Sequence, residues 1–342
     1  VRKEKAISPK DLLQKAREAE YNKSFIEKLL ANNDAETTLS DLTEAQERLK
    51  AAKAALDALP PPPVLPPRGQ LEKITGRLEE FSRIRCKADF EPDFYTNHPN
   101  HQMSSGEKTG IGAAAIAFDS PALAGLALKE EQPMTSEADY IKGMINGKPF
   151  TGWVGLTHLK VGDEVELAAE WQDDHYQVYA ITLPAERMIS VCPRANHGSY
   201  IQAKLKLKHT IWFLTFMLVL IQGIYISLAD GPFLQNVFDS LVNNKDRFYL
   251  YAAIQTAVGV PIIGVIFYSM YLGYVKTSCA LAENVFRAFG WENPKGIDLE
   301  ALTLNREKEL KRSGEWYSPD DNSKPPRPTM KGLGYMEYWY YY

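Results

Sequence analysis

Cysteine is scarce in this chain, with three residues in 342, which excludes a disulfide scaffold and a cysteine-rich zinc array. Cys86, Cys192 and Cys279 lie far apart and are expected as free thiols. An excess of positive charge is also missing. Lys+Arg total 39 against 43 Asp+Glu, a formal net charge of -4, so no strong basic field exists for nucleic acid. No G-x-S-x-G nucleophile elbow occurs. The stretch Ser104 to Gly110 lacks the glycine that a phosphate loop places before its lysine, here Lys108. His98 and His101 have no cysteine or carboxylate at metal-ligand spacing. No catalytic set, metal site or cofactor site is therefore expected, and the chain is read as non-enzymatic. The opening Val1-Arg2-Lys3-Glu4-Lys5 leads into a polar helical pattern, so no secretory signal peptide is expected.

Charge is most conspicuously missing from two long runs. Ile211 to Ala229 (IWFLTFMLVLIQGIYISLA) and Phe248 to Val275 (FYLYAAIQTAVGVPIIGVIFYSMYLGYV) contain no Asp, Glu, Lys or Arg. A bilayer core of about 30 Å takes roughly 20 apolar helical residues, so these predict transmembrane helices over 209–229 and 248–275. Aromatic residues crowd the ends of both runs, as at a headgroup boundary. Lys204, Lys206 and Lys208 precede the first run, and Lys276 and Arg287 follow the second. By the positive-inside rule both termini are cytoplasmic. The loop 230–247 carries Phe233, Leu234, Val237, Phe238, Leu241 and Val242 at helical spacing, which reads as an amphipathic surface helix or a plain connector. Pumps keep ionisable groups inside the bilayer, and these runs hold only Gln, Ser and Thr. The candidates for helix association are Trp212, Gln222, Gln255, Gly259, Pro261 and Gly264: an interfacial ring, two amides that hydrogen-bond across helices, and a small-residue face with a kink. A single helix pair is too small to enclose a channel, so a pore requires several copies.

The rest of the chain divides by composition. Residues 1–59 show two amphipathic helical patterns separated by Asn32-Asn33-Asp34, an αα-hairpin or short coiled coil that is either structural or a docking arm. Residues 60–68 open with Pro-Pro-Pro-Pro-Val-Leu-Pro-Pro, read as an extended spacer. Residues 69–200 show short alternating strands: Leu71 to Glu79, Arg83 to Phe90, Gly152 to Gly155, Val165 to Trp171 and Tyr176 to Ile181. Gln172 to His175 is a hairpin turn, and Glu186 to Cys192 is expected to close a small SH3-like or OB-like barrel. Gly110 to Leu128 is apolar but interrupted by Asp119 and Pro121, so it is not a third span. This region has 19 acidic and 12 basic residues, net -7, which excludes the basic groove of a nucleic-acid-binding barrel. Residues 276–312 read as amphipathic helices and 313–342 as a flexible tail. The fold class expected is thus an α+β membrane protein: a helical hairpin, a small β-barrel, a transmembrane hairpin and short C-terminal helices.

The order of several blocks carries a resemblance. Gly76-Arg77-Leu78-Glu79 precedes Arg85-Cys86-Lys87-Ala88-Asp89-Phe90 and Gly112-Ala113-Ala114-Ala115. Then come Leu159-Lys160-Val161-Gly162-Asp163-Glu164, His175-Tyr176-Gln177-Val178-Tyr179-Ala180, the two apolar runs, and Ala282-Glu283-Asn284-Val285-Phe286-Arg287-Ala288-Phe289-Gly290-Trp291. Over residues 69–304 this resembles two-span membrane proteins of Gram-negative bacteria classed as type VI secretion system effectors. The resemblance implies a toxin of bacterial competition that inserts into the inner membrane and self-associates into a pore. Its partners would be the lipid bilayer and a secretion spike, chaperone or immunity protein. The alternative is a resident inner-membrane accessory or immunity protein whose cytosolic β-domain binds a partner.

Overall fold

A computed structural model describes residues 4–31, 39–90, 135–228, 260–318, 321, 323–330 and 337–342. The chain is α+β and divides into two compact units. One comprises Val1–Asn196, Asn284–Glu292 and Leu299–Tyr342, and the other His197–Glu283 with Asn293–Asp298.

The first unit opens with the helical hairpin. Helix α1 (Pro9–Ala31) starts with proline in its first turn, where no amide is lost, and the Ser8 Oγ accepts the Asp11 N–H at 3.3 Å. Helix α2 (Leu39–Asp57) packs back on it. The apolar stripe closes at the base, where Ala16 and Leu56 are buried among Leu12, Leu13, Ala52 and Leu59. Toward the other end a cleft of about 350 Å³ separates the helices, lined by Ala19, Phe25, Ile26, Ala45 and Arg48 among others. Residues before α1 join the sheet: the Ile7 N–H donates to Arg85 O at 3.0 Å, and the Lys87 N–H donates to Ile7 O at 2.8 Å.

The centre of this unit is a closed five-stranded barrel of β1 (Glu72–Ala88), β2 (Ser136–Ile145), β3 (Lys148–Val154), β4 (Glu164–Gln172) and β5 (His175–Leu183). The segments 71–79 and 83–90 are not two strands. They form one long strand whose first half pairs with β4 and whose second half pairs with β2. The register slips between Leu78 and Glu80, and such a bulge bends a strand from one neighbour to the next. Asn146-Gly147, with φ of 52° and 68°, makes the β2–β3 turn. Closure comes from a parallel pairing of β3 with β5 through Phe150–Tyr176, Thr151–Gln177 and Gly152–Val178. The segment 186–192 was expected to close the barrel. Its strand β6 (Met188–Val191) instead extends the sheet from β5, and β7 (Trp339–Tyr341) pairs beyond it. Leu78, Ile141, Ile145, Phe150, Val154, Val165, Leu167, Val178 and Ile181 fill the interior, alternating along β2, β3 and β4 and shifted on β5 by the register slip opposite Ala168 and Ala169.

The C-terminal tail is therefore structured in part. Trp339 and Tyr341 are buried against Leu156 and Met188, with Leu310 of α6 (Leu299–Ser313) beside them. The Tyr341 N–H donates to Thr303 Oγ1 at 3.0 Å.

The second unit is built on α3 (Ser199–Leu228) and α4 (Val260–Ser278). Helix α3 begins ten residues before the expected span, so Lys204, Lys206 and Lys208 are helical. The buried Glu283 carboxylate accepts the Ser199 N–H at 3.1 Å, a negative charge at the positive end of α3. The helices meet through Ala203, Val275 and Cys279, with Tyr268, Tyr271 and Leu272 beside them, and through a Thr210 Oγ1–Tyr271 Oη bond of 2.6 Å. Helix α5 (Ala280–Ala288) follows α4, and Gly290, with φ of 73°, stands just beyond its end. Among the described residues no single helix is long and apolar enough to cross a membrane. The bent pair Ile262–Ser278 and Ala280–Ala288 meets the length and composition requirement together. The first expected span, 209–229, lies within the single helix α3 as far as Leu228, the second is described only from Val260 onward, and the segments 230–247 and 110–128 lie outside the described residues.

Candidate functional site

Two surfaces stand out. The first is the outside of the α3/α4 pair. An isolated pair of antiparallel helices buries only its facing stripe, and here the remaining surface is apolar. Trp212 is 70 % exposed, Val265 67 % and Tyr274 73 %, and Phe213, Phe216, Ile262, Ile266 and Met270 are exposed with them. Trp212 and Phe216 stack at 5.8 Å on the outer face. Exposed contiguous apolar area of this kind marks a membrane or protein contact. At the helix ends where the apolar face stops, Lys204, Lys208 and Lys276 are exposed, and the Lys206 ammonium lies 4.9 Å from the centre of the Tyr274 ring. Sequence reading placed the lysines but not this ring contact.

The candidates for helix association are only partly brought together. Trp212 is on the outer face. Gly264 is in α4 and is buried. Gln222 and Pro261 are helical residues, and their side chains lie outside the described set, as do Gln255 and Gly259 altogether.

The second surface is on the barrel and was not found from the sequence. Ile141 and Val154 point inward, so their neighbours Tyr140 and Trp153 point outward. These two are directly paired across β2 and β3. Their rings lie 5.4 Å apart, and Phe90 meets Trp153 edge-on at 5.8 Å. This aromatic platform is covered. The Trp153 Nε1–H donates to the Pro61 carbonyl at 3.0 Å, and Trp153 is 4 % exposed. The proline-rich segment expected as a spacer is thus docked, with Pro60, Pro63 and Leu65 buried. Its far end is fixed by the buried Glu170 carboxylate, which accepts the Arg68 N–H at 3.1 Å and the Gly69 N–H at 3.0 Å. Glu170 also accepts the Tyr179 hydroxyl at 3.1 Å; burial first, and this carboxylate second, push the Tyr179 phenol pKa up. Burial likewise raises the Tyr140 phenol. A tryptophan indole beside prolines was the available signal, but nothing in the spacing ties Trp153 to a segment 92 positions earlier.

The most deeply buried charges of the barrel unit are paired with each other. Asp139, fully buried, accepts Arg85 Nε at 2.8 Å and Nη2 at 3.1 Å, Arg83 Nη1 at 3.1 Å, and the Thr157 N–H at 2.9 Å. A carboxylate so saturated is a structural plug and not a poised base. Among the described residues no group of three or more His, Cys, Asp or Glu is placed to hold a metal ion. No protein-family model matches the chain, and neither a curated protein nor a solved structure matches it.

Proposed function

We propose that this chain is a two-span inner-membrane protein whose α3/α4 pair anchors a partner-binding β-barrel, with both termini in the cytoplasm. The observation that carries the reading is the outward placement of large apolar residues on α3 and α4. Burying this surface in lipid removes it from water at about 25 cal/mol per Å². The charge-free runs supply the length, and the lysines at the helix ends suit anionic headgroups on the cytoplasmic side. The strand order β1-β2-β3-β5-β4-β1, with β3 and β5 parallel, supports the OB-type over the SH3-type barrel. OB-type barrels use the face of strands 2 and 3 for ligands, and Tyr140 and Trp153 lie on that face. With net -7 in this region the ligand is a protein and not a nucleic acid, and the action is non-enzymatic.

The test is flotation of membranes from a Gram-negative host expressing the full chain, after an alkaline carbonate wash. The full chain is expected to float, and a chain lacking residues 209–275 to stay in the soluble fraction. Release of the full chain by carbonate would overturn the reading.

A second reading follows from the resemblance: a type VI secretion effector whose helix pairs self-associate into a pore, held before delivery by a spike or chaperone and neutralised by an immunity protein. The exposed aromatic and aliphatic outer face of α3 and α4 favours it. Against it, the described outer face offers only Thr215 and Ser269 as polar side chains on the apolar part of the pair, and the Thr215 hydroxyl donates to Ile211 O. A voltage-sensitive dye decides: depolarisation on induction, absent without residues 209–275, supports the pore, and an unchanged potential with verified membrane expression supports the anchor.

A further inference from the structure

We propose that the outer face of β2 and β3 is a groove for proline-rich peptides, occupied in cis by the chain's own segment 60–67 and available to a proline-rich segment of a partner by exchange. The inference deepens the reading of the barrel as a binding module and does not depend on membrane insertion.

The argument starts from the seated occupant. Prolines fix φ near -65° and lose little entropy on docking, so a proline run is a preordered ligand. Such segments are recognised by aromatic-lined grooves. Here the groove has an aromatic floor, Trp153 between Tyr140 and Phe90, and a directional contact, the Trp153 indole N–H donating to the Pro61 carbonyl at 3.0 Å. A proline run has no amide donor of its own, so the Pro61 carbonyl is left available to accept the indole N–H. Pro63 and Leu65 are buried, while Pro61 and Arg68 are exposed, so the segment lies on the surface and is not threaded through the core. Both ends are tethered, by α2 on one side and by the Glu170 clamp on Arg68 and Gly69 on the other. A tethered ligand acts at an effective concentration of ~1 mM, so a free peptide of Kd about 100 µM is masked roughly tenfold in the intact chain.

The experiment uses the full chain in detergent micelles with P61G/P62S/P63G, titrated with a fluorescein-labelled peptide copying residues 60–67. The expected result is saturable binding about tenfold tighter than to the unaltered chain. Adding W153F, which keeps an aromatic ring on the floor but removes the N–H, should weaken it about fivefold. A folded linker variant that shows no saturable binding up to about 1 mM, or that binds equally with Phe at 153, overturns the proposal. Should the triple substitution unfold the chain, L65A, which frees the segment while keeping its prolines, takes the same two readouts. If neither variant folds, the segment belongs to the barrel core and the proposal fails. A chain that floats with membranes but binds no peptide overturns this inference alone.

Discussion

Gly152 on β3 faces Val178 on β5 in parallel register, and a Cβ on Gly152 would lie 2.2 Å from the Val178 carbonyl oxygen. The barrel closes at this point because one strand has no side chain there. The parallel pairing spans three residue pairs, so a single obstruction affects all of it. Backbone oxygen cannot move aside as a side-chain end can.

Gly152→Val is therefore expected to open the β3–β5 seam and to lower stability by about 3 kcal/mol, at the upper end of overpacking costs. Gly69→Ala is the control, since a Cβ there meets nothing within 4 Å, and its change should stay within about 0.5 kcal/mol. Chemical unfolding in detergent, followed by far-UV circular dichroism, measures both. Equal midpoints for the two variants would contradict the closure.

Asp139 and Arg85 form the charged plug of the same barrel, at 0 % and 4 % exposure. Asp139→Asn keeps the shape and leaves the Arg85 guanidinium buried without its counter-charge. The expected loss is about 3–5 kcal/mol, as for removal of one partner from a buried pair. The double variant R85M/D139L removes both charges and should recover more than half of that loss. A double variant no better than D139N would show that the plug acts through Thr157 and Arg83 and not through Arg85.

The membrane reading makes a prediction about orientation. Lys204, Lys206, Lys208 and Lys276 sit at one end of the apolar pair, and each is worth about 1 kcal/mol beside an anionic leaflet. Replacing all four by glutamine should give a mixed topology where the unaltered chain has one. Single cysteines introduced in the loop 230–247 report this, labelled from outside in the unaltered chain and only partly in the variant. Full labelling in both would remove the lysines from any role in orientation.

What was legible in the sequence followed from short-range pattern. The alternation around Val165 and Val178 and the turn at Asp173 gave β4 and β5 with near-correct ends. The Asn146-Gly147 dipeptide is an equally strong hairpin signal and marks the β2–β3 turn. The single long β1 was split in two because its outward residues change neighbours at the Leu78–Glu80 slip, which no periodicity reports. The docked prolines and the β6–β7 pairing were invisible for a different reason. Both join segments about 90 to 150 positions apart, Pro61 to Trp153 and Met188 to Tyr341, where composition alone reads as spacer and loose tail.

Cys86 gives a pH-dependent prediction with a definite sign. It lies on β1 between Ala138 of β2 and the Ile7 bridge, 2 % exposed, and burial pushes its thiol pKa up from 9.0 to about 11. In the unfolded chain the thiol ionises at its ordinary value, while the folded chain holds the proton for about two further pH units. Within that window the folded state binds more protons than the unfolded state, so stability falls as pH rises from 9 to about 11. Below pH 9 both states are protonated and the thiol contributes no pH dependence. The loss across the window is about 3 kcal/mol at most. Other groups titrate there too, so the measurement is the difference between the unaltered chain and Cys86→Ala. The alanine variant starts about 1 kcal/mol lower at neutral pH from the lost packing, and should lose less stability between pH 9 and 11. Parallel stability curves for the two proteins would mean that the thiol is solvated in the folded chain and would overturn its place between β2 and the Ile7 bridge.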